Sequence, residues 1–131
     1  MPLTDLNPSD IHPPFGAYAP GTEISAGLRL VRTSGQLGVR PDGTIPDSAY
    51  DQAVICFENI RLILLQARML PKDVAHVSAY VTDRAHFPDY MAARDAFIGA
   101  TARLPSSTLL IVSGFTRAEF KVEVEVWAAA D

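Results

Sequence analysis

Two carboxylates and a lysine alternate with apolar residues near the carboxyl end of the chain. The apolar positions are Phe120, Val122, Val124 and Val126, and the positions after them are Lys121, Glu123, Glu125 and Trp127. Because successive side chains of a strand point to opposite faces, we predict a strand with Glu123 and Glu125 on one face. If the two carboxylates share a dry cleft, like-charge repulsion raises the pKa of Glu123. Otherwise Glu123 is a solvated surface carboxylate and Glu125 a residue of a rim or interface.

The segment before this strand, Leu104–Val112, predicts another strand, which is apolar on both faces. Leu109 faces away from Leu110 within it, and such a strand must be covered on both sides. We predict that the two strands are joined by a turn. The second face of the sheet then needs a cover of its own, and we expect sister copies of the chain to supply it.

Two amphipathic helices lie upstream of these strands. Ser48, with Asp51 three positions on, begins the first helix as in a capping box, and this helix ends before Pro71. Pro88 suits the first turn of the second helix. The apolar stripe predicted for the second helix is Tyr90, Ala93, Phe97 and Ala100.

Two further segments have the pattern of strands. Val74–Thr82 alternates, with Ala75 and Val77 on its apolar side, and Leu28–Leu37 is rich in β-forming residues. Gly35 indicates a bulge or a close backbone approach. The order strand, helix, strand, helix, strand, strand predicts an α+β two-layer sandwich, a mixed β-sheet with two helices packed on one face. We expect residues 1–131 to form a single domain.

Composition narrows the possible partners. The 131 residues carry a formal net charge of -4, with scattered lysines and arginines, which argues against nucleic acid as a partner. No apolar run is long enough to cross a membrane, and no leader pattern precedes the domain, so we expect a cytoplasmic protein. Cys56 is the single cysteine, in an apolar setting, and no spacing typical of a metal site is present, so no metal is expected.

Taken together, several short motifs resemble the reactive-intermediate deaminase family, also called the RidA or YjgF family or the L-PSP endoribonucleases. They are Gly16-Ala17-Tyr18, Thr33-Ser34-Gly35-Gln36, Phe57-Glu58-Asn59, Val81-Thr82-Asp83, Leu104-Pro105 and Lys121-Val122-Glu123-Val124-Glu125. The resemblance runs from about Pro14 to Ala129. It implies a fold similar to bacillus-type chorismate mutase, a homotrimer, and clefts between subunits. It also implies hydrolysis of small enamines or imines to a carbonyl compound and ammonia, without a cofactor.

The resemblance assigns roles to individual residues. Glu123 matches the catalytic acid that positions water for attack on the imine carbon. Tyr18 matches a tyrosine that lines the cleft, and Ser34 and Gly35 match the segment whose backbone approaches the ligand. If this cleft exists, we expect Ser107, Thr108 and backbone groups near Gly35 to hold the substrate as neutral donors.

Three positions depart from the family pattern. Ser107 stands where the family has an arginine that pairs with the substrate carboxylate, so the binding of 2-imino acids is expected to be weakened. Met91 stands in the place of an asparagine, and Leu109 in the place of a cysteine. A cleft with these residues is expected to suit a neutral or cationic ligand.

Two alternatives remain beside the hydrolase. One is a non-catalytic trimer of the same fold that binds a small molecule or a partner. The other is a ribonuclease, which the acidic charge balance disfavours. His76, on the predicted second sheet face, is interpreted as an interface histidine rather than a catalytic base.

Overall fold

The computed structural model describes residues 2–99 and 103–131, and it places two helices on one face of a mixed sheet. The helices are α1 (Ala49–Gln66) and α2 (Phe87–Ile98). The strands are β1 (Leu3–Leu6), β2 (Gly21–Ile24), β3 (Arg29–Arg32), β4 (Gln36–Leu37), β5 (Val74–Val81), β6 (Ser106–Ile111) and β7 (Val122–Ala130). The predicted α+β sandwich is confirmed.

Strand β7 lies in the interior of the main sheet, whose order is β3-β7-β5-β6 with β4 also paired to β7. The prediction that β6 and β7 are joined by a turn as neighbours is wrong, because β5 lies between them. Strand β5 pairs parallel with β6 and antiparallel with β7. A parallel pair needs a crossover connection, and α2 lies within the one that links β5 to β6.

Both helices begin where the sequence predicted. The Ser48 side chain accepts a hydrogen bond from the Asp51 backbone N–H at 3.0 Å, which caps α1. Helix α2 has Pro88 in its first turn and ends at Gly99, whose φ of 64° suits glycine. Tyr90, Ala93 and Phe97 of its predicted stripe pack into or against the core. Ala100, the last predicted member, lies outside the described residues.

The helix-facing side of the sheet is apolar and closely packed. Val122, Val124 and Val126 of β7 are fully buried in the same cluster as Ile60 and Leu64 of α1. Ala75, predicted on this side, instead joins a small second cluster with Leu3 and Ala129. A pairing irregularity between Val74 and His76 shifts the alternation there, and Val74 takes the place in the main core.

The amino-terminal strand was not predicted, because its short sequence is polar and flanked by prolines. Strand β1 pairs antiparallel with β2 in a separate two-stranded sheet. Leu3 is buried, and the region beside it therefore has a cover within the chain. The rest of the second sheet face remains open in a single chain, with Leu30, Leu110 and Trp127 from 40% to 57% exposed.

A buried amide ties together the loops that lead into α1 and β7. Gln52 is fully buried, and its Nε2 group donates to the carbonyl oxygens of Pro46 and Glu119 at 2.9 Å each. Its Oε1 atom accepts from the Lys121 N–H at 2.8 Å. Both N–H groups of the Gln52 amide and one of the two lone pairs of Oε1 are therefore engaged in hydrogen bonds. These hydrogen bonds fix where β7 begins.

We predict that Gln52→Leu lowers the free energy of unfolding by at least about 2 kcal/mol, because three backbone groups lose a partner. Urea denaturation of the full chain measures this change. The matched control is Gln66→Leu on the exposed side of α1, with an expected change within about 0.5 kcal/mol. Equal stability of the Gln52→Leu protein and the wild type would contradict a stabilising role for these three hydrogen bonds.

Candidate active site

The chain between β3 and β4 is held against β7 by one threonine. Thr33 is buried, its N–H donates to the Val126 carbonyl, and its Oγ1 accepts from the Val126 N–H, each at 3.1 Å. Strand β4 resumes the pairing, with Leu37 opposite Glu123. The predicted single strand is therefore interrupted, and the interruption brings Ser34 and Gly35 beside β7.

Gly35 makes the close approach that the sequence indicated. A Cβ atom at this position would lie 2.3 Å from Oε2 of Glu123 and 2.6 Å from its Cδ. No side chain larger than hydrogen therefore fits while Glu123 keeps its place. Ser34, Gly35 and Glu123 form one group, which we call the acid half-site. Ser34 itself is exposed.

Two effects raise the pKa of the Glu123 carboxyl: its partial burial, and the nearby negative charge of Glu125. Glu125 is itself held in place, because it accepts a hydrogen bond from the Tyr80 hydroxyl at 2.7 Å and lies 3.9 Å from the Arg32 guanidinium. Among the described residues, no hydrogen bond or ion pair engages the Glu123 carboxylate. It lines a depression of about 440 Å³ together with Leu37 and residues 114–116.

A second pocket, of about 380 Å³, lies between α2, β6 and the loop before β2. Four residues assigned from the sequence line it, namely Tyr18, Met91, Ser107 and Leu109. We call these four residues the serine half-site. The pocket wall is completed by Phe15, Gly16, Phe87 and Arg94.

The two half-sites lie on opposite faces of the sheet. Ser107 is paired with Val77, and Val77 with Val126, so Ser107 points to the helix side. Glu123 alternates with the buried valines of β7 and points to the other side. A single protomer therefore does not bring Glu123 and Ser107 together. Thr108, expected to act beside Ser107, is exposed on the opposite face, because neighbouring strand residues point apart.

Arg94 is a pocket residue that we did not assign from the sequence. Its side chain is 2% exposed, and it lines the same pocket as Ser107. The signal was available: Arg94 stands four positions after Tyr90 and next to Ala93, on the inward stripe of α2. The expectation that the pocket suits a neutral or cationic ligand rested on Ser107, Met91 and Leu109 and did not include Arg94.

Cys56 is a core residue rather than a reactive group. Its thiol is buried and donates to the Gln36 carbonyl oxygen at 3.1 Å. Burial, reinforced by the charge of Glu123, raises its pKa to about 12, so the thiol stays protonated.

Two further features of residues 2–99 and 103–131 concern metals and membranes. These residues contain no group of three or more His, Cys, Asp and Glu side chains that could hold a metal ion. None of their helices is both long and apolar enough to span a bilayer.

A comparison with family models shows the class of this protein. A model of the Endoribonuclease L-PSP family matches residues 11–130, and the chain belongs to that family. The resemblance drawn from the sequence motifs is thereby confirmed at the level of the family.

Two sequence relatives cover part of the chain. TdcF of Escherichia coli (strain K12), provisionally described as a reactive intermediate deaminase, is 32% identical over 74 residues, which are 56% of this chain and 55% of TdcF. A RutC family protein of Aquifex aeolicus (strain VF5) is 29% identical over 77 residues, 58% of this chain and 59% of the relative. The chain thus matches little more than half the length of these relatives.

Solved structures agree on the fold. The crystal structure of YyfB from Yersinia pestis, described as a Rid-family protein of unknown function, has a TM-score of 0.88 at 23% identity, covering 99% of this chain and 100% of that one. The YjgF gene product of E. coli has a TM-score of 0.72 at 23% identity, covering 98% and 99%. At these identities the likeness concerns the fold alone.

We predict that Glu125→Gln lowers the pKa of Glu123, because it removes the like charge while keeping the size of the side chain. Carbon-13 NMR titration of the carboxyl groups measures this pKa. Glu119→Gln, at an exposed position, is the control and should leave it unchanged. An unaltered Glu123 titration in the Glu125→Gln protein would contradict the electrostatic coupling. In the wild type, the contribution of Glu123 to the free energy of unfolding should fall as pH rises from the ordinary glutamate pKa through the raised one.

Proposed function

We propose that this protein hydrolyses small imines or enamines at clefts between the subunits of a homotrimer, with Glu123 as the residue that activates water. The observation that carries the proposal is the Glu123 carboxylate: it is held against Gly35, has a raised pKa and is engaged by no protein donor among the described residues. A carboxylate in that state is available to hold a water molecule and to exchange a proton with it.

The reaction needs only water and one proton carrier. Glu123 accepts a proton from water while the water oxygen bonds to the imine carbon. This proton is delivered to the nitrogen, which gives a carbinolamine. Glu123 then carries the proton of the carbinolamine hydroxyl to the nitrogen, the carbon–nitrogen bond breaks, and ammonia leaves as the carbonyl forms. A raised pKa suits both proton transfers, because the carboxyl must take up and release the proton in each cycle.

The cleft between subunits is supported by the separation of the two half-sites. Within one protomer, Ser107 lies on the sheet face opposite the acid half-site. No Asp or Glu is among the described residues that line the pocket of the serine half-site. If the open sheet face of one protomer packs beside the serine half-site of the next, each site gains both parts. The exposed Leu30, Leu110 and Trp127 on the open face are suited to such an interface.

The name of one relative supports the reaction class. TdcF, 32% identical over the matched region, is described provisionally as a reactive intermediate deaminase. Because the match covers little more than half of either chain, it supports the type of chemistry and names no substrate for this protein.

A second candidate is a non-catalytic trimer that binds a small molecule or a partner. The observation that favours it is Ser107, which supplies a neutral hydroxyl where the resemblance places a substrate-binding arginine. In that case the pocket with Tyr18 and Met91 would retain a ligand, while Glu123 would contribute nothing to turnover.

We predict that the protein releases ammonia and a carbonyl compound from enzymatically generated small imines, and that Glu123→Gln lowers the rate at least about 100-fold. A coupled assay for ammonia measures both rates. Glu119→Gln, which changes an exposed glutamate elsewhere, is the matched control and should retain full activity. Equal turnover by the Glu123→Gln protein, or none by the wild type with any imine tested, would contradict the proposal. Ligand binding without turnover would then favour the second candidate.

A further inference from the structure

Arg94 is a buried cation with little to neutralise it. Within residues 2–99 and 103–131, Arg94 donates two hydrogen bonds, both to Oδ1 of Asp95, from Nη2 at 3.2 Å and from Nε at 3.4 Å. The Asp95 side chain is 53% exposed, so its charge is partly screened by solvent. A guanidinium has five N–H donors, and removing it from water costs several kcal/mol unless those donors find acceptors.

Arg94 lines the pocket that Ser107 also lines. The backbone of the loop before β2 lies over the guanidinium, since a Cβ atom on Gly16 would be 3.6 Å from Nη2 of Arg94. The buried Tyr90 hydroxyl lies close to the Ser107 side chain, and this contact lowers the pKa of Tyr90 against the effect of burial. The pocket thus holds a buried cation and the hydroxyl of Ser107, which both suit an anionic oxygen ligand.

The charge of Arg94 also acts on a neighbouring buried residue. Burial raises the pKa of Tyr90, and the positive charge of Arg94 opposes that rise, while the negative charge of Asp95 supports it.

We propose that Arg94 binds the carboxylate of the substrate and supplies from helix α2 the positive charge that Ser107 lacks. This inference rests on the proposed function, and it narrows the substrates to small imines or enamines that carry one carboxylate. One guanidinium matches the charge of one carboxylate, which it can grip with paired N–H groups. Met91 and Leu109 line the same pocket and give it an apolar wall.

The first test compares pyruvate with pyruvamide, which have similar shapes and differ in charge. Wild-type protein should bind pyruvate more tightly, as measured by isothermal titration calorimetry. Arg94→Gln should weaken pyruvate binding roughly 10- to 100-fold, as expected for a charge-assisted contact, and leave pyruvamide binding unchanged. Arg61→Gln removes an exposed arginine from α1 and is the charge-matched control, with no expected effect. Equal binding of the two probes by the wild type would overturn the proposal.

A second variant retains Arg94 and decides the question if Arg94→Gln does not fold. Ser107→Glu places a carboxylate of the protein itself in the pocket. If the charge of Arg94 is available, the new pair raises the melting temperature and pyruvate no longer binds. If that charge is already committed to Asp95, the added carboxylate is buried without a partner and the melting temperature falls, which would overturn the proposal.

The outcomes separate this inference from the proposed function. Charge-selective pyruvate binding that depends on Arg94, without hydrolysis of any imine, would leave the binding role of Arg94 intact and contradict the enzyme. Imine hydrolysis by a protein that binds pyruvate equally well with Arg94→Gln would contradict the role of Arg94 alone.

Discussion

The two-sided character of strand β7 is the constraint on which the rest of the structure depends. Its valines are fully buried against the helices, and the residues between them must therefore face the other way. A shift of one residue in register would place Glu123 in the apolar core and expose the valines. The packing that stabilises the domain is thus also what fixes the direction of the acid.

The same geometry explains why the site residues of one chain do not meet. Strand β6 is in register with β5, which directs Ser107 toward α2 while Glu123 points to the open face. Gly35, pressed against Glu123 because Thr33 anchors the loop, completes only the acid half-site. Arg94 completes only the serine half-site. In the proposed assembly, catalysis and subunit contact are therefore coupled by the fold.

Features that depend on neighbouring residues could be predicted from the sequence, whereas features that depend on long-range pairing could not. The cap at Ser48, the alternation of β7 and the close approach at Gly35 depend on neighbouring residues and could be predicted from the sequence. The position of β5 between β6 and β7 depends on pairing across long stretches of chain, which periodicity does not encode. The opposed directions of Ser107 and Thr108 were implicit in the strand pattern, but the position of the pocket required α2. Arg94 was overlooked because a charged residue on a helix is ordinarily solvated.

Mixing two inactive variants tests most directly whether the site is shared between subunits. In Glu123→Gln the acid half-site is disabled, and in Ser107→Phe the serine half-site is blocked, so every protomer of the mixture has one defect. If each site takes one half from each of two neighbours, random reassembly of equal amounts restores about one quarter of the wild-type activity. If both halves of each site come from the same protomer, every site contains a defect and the mixture stays inactive. That result would contradict the account.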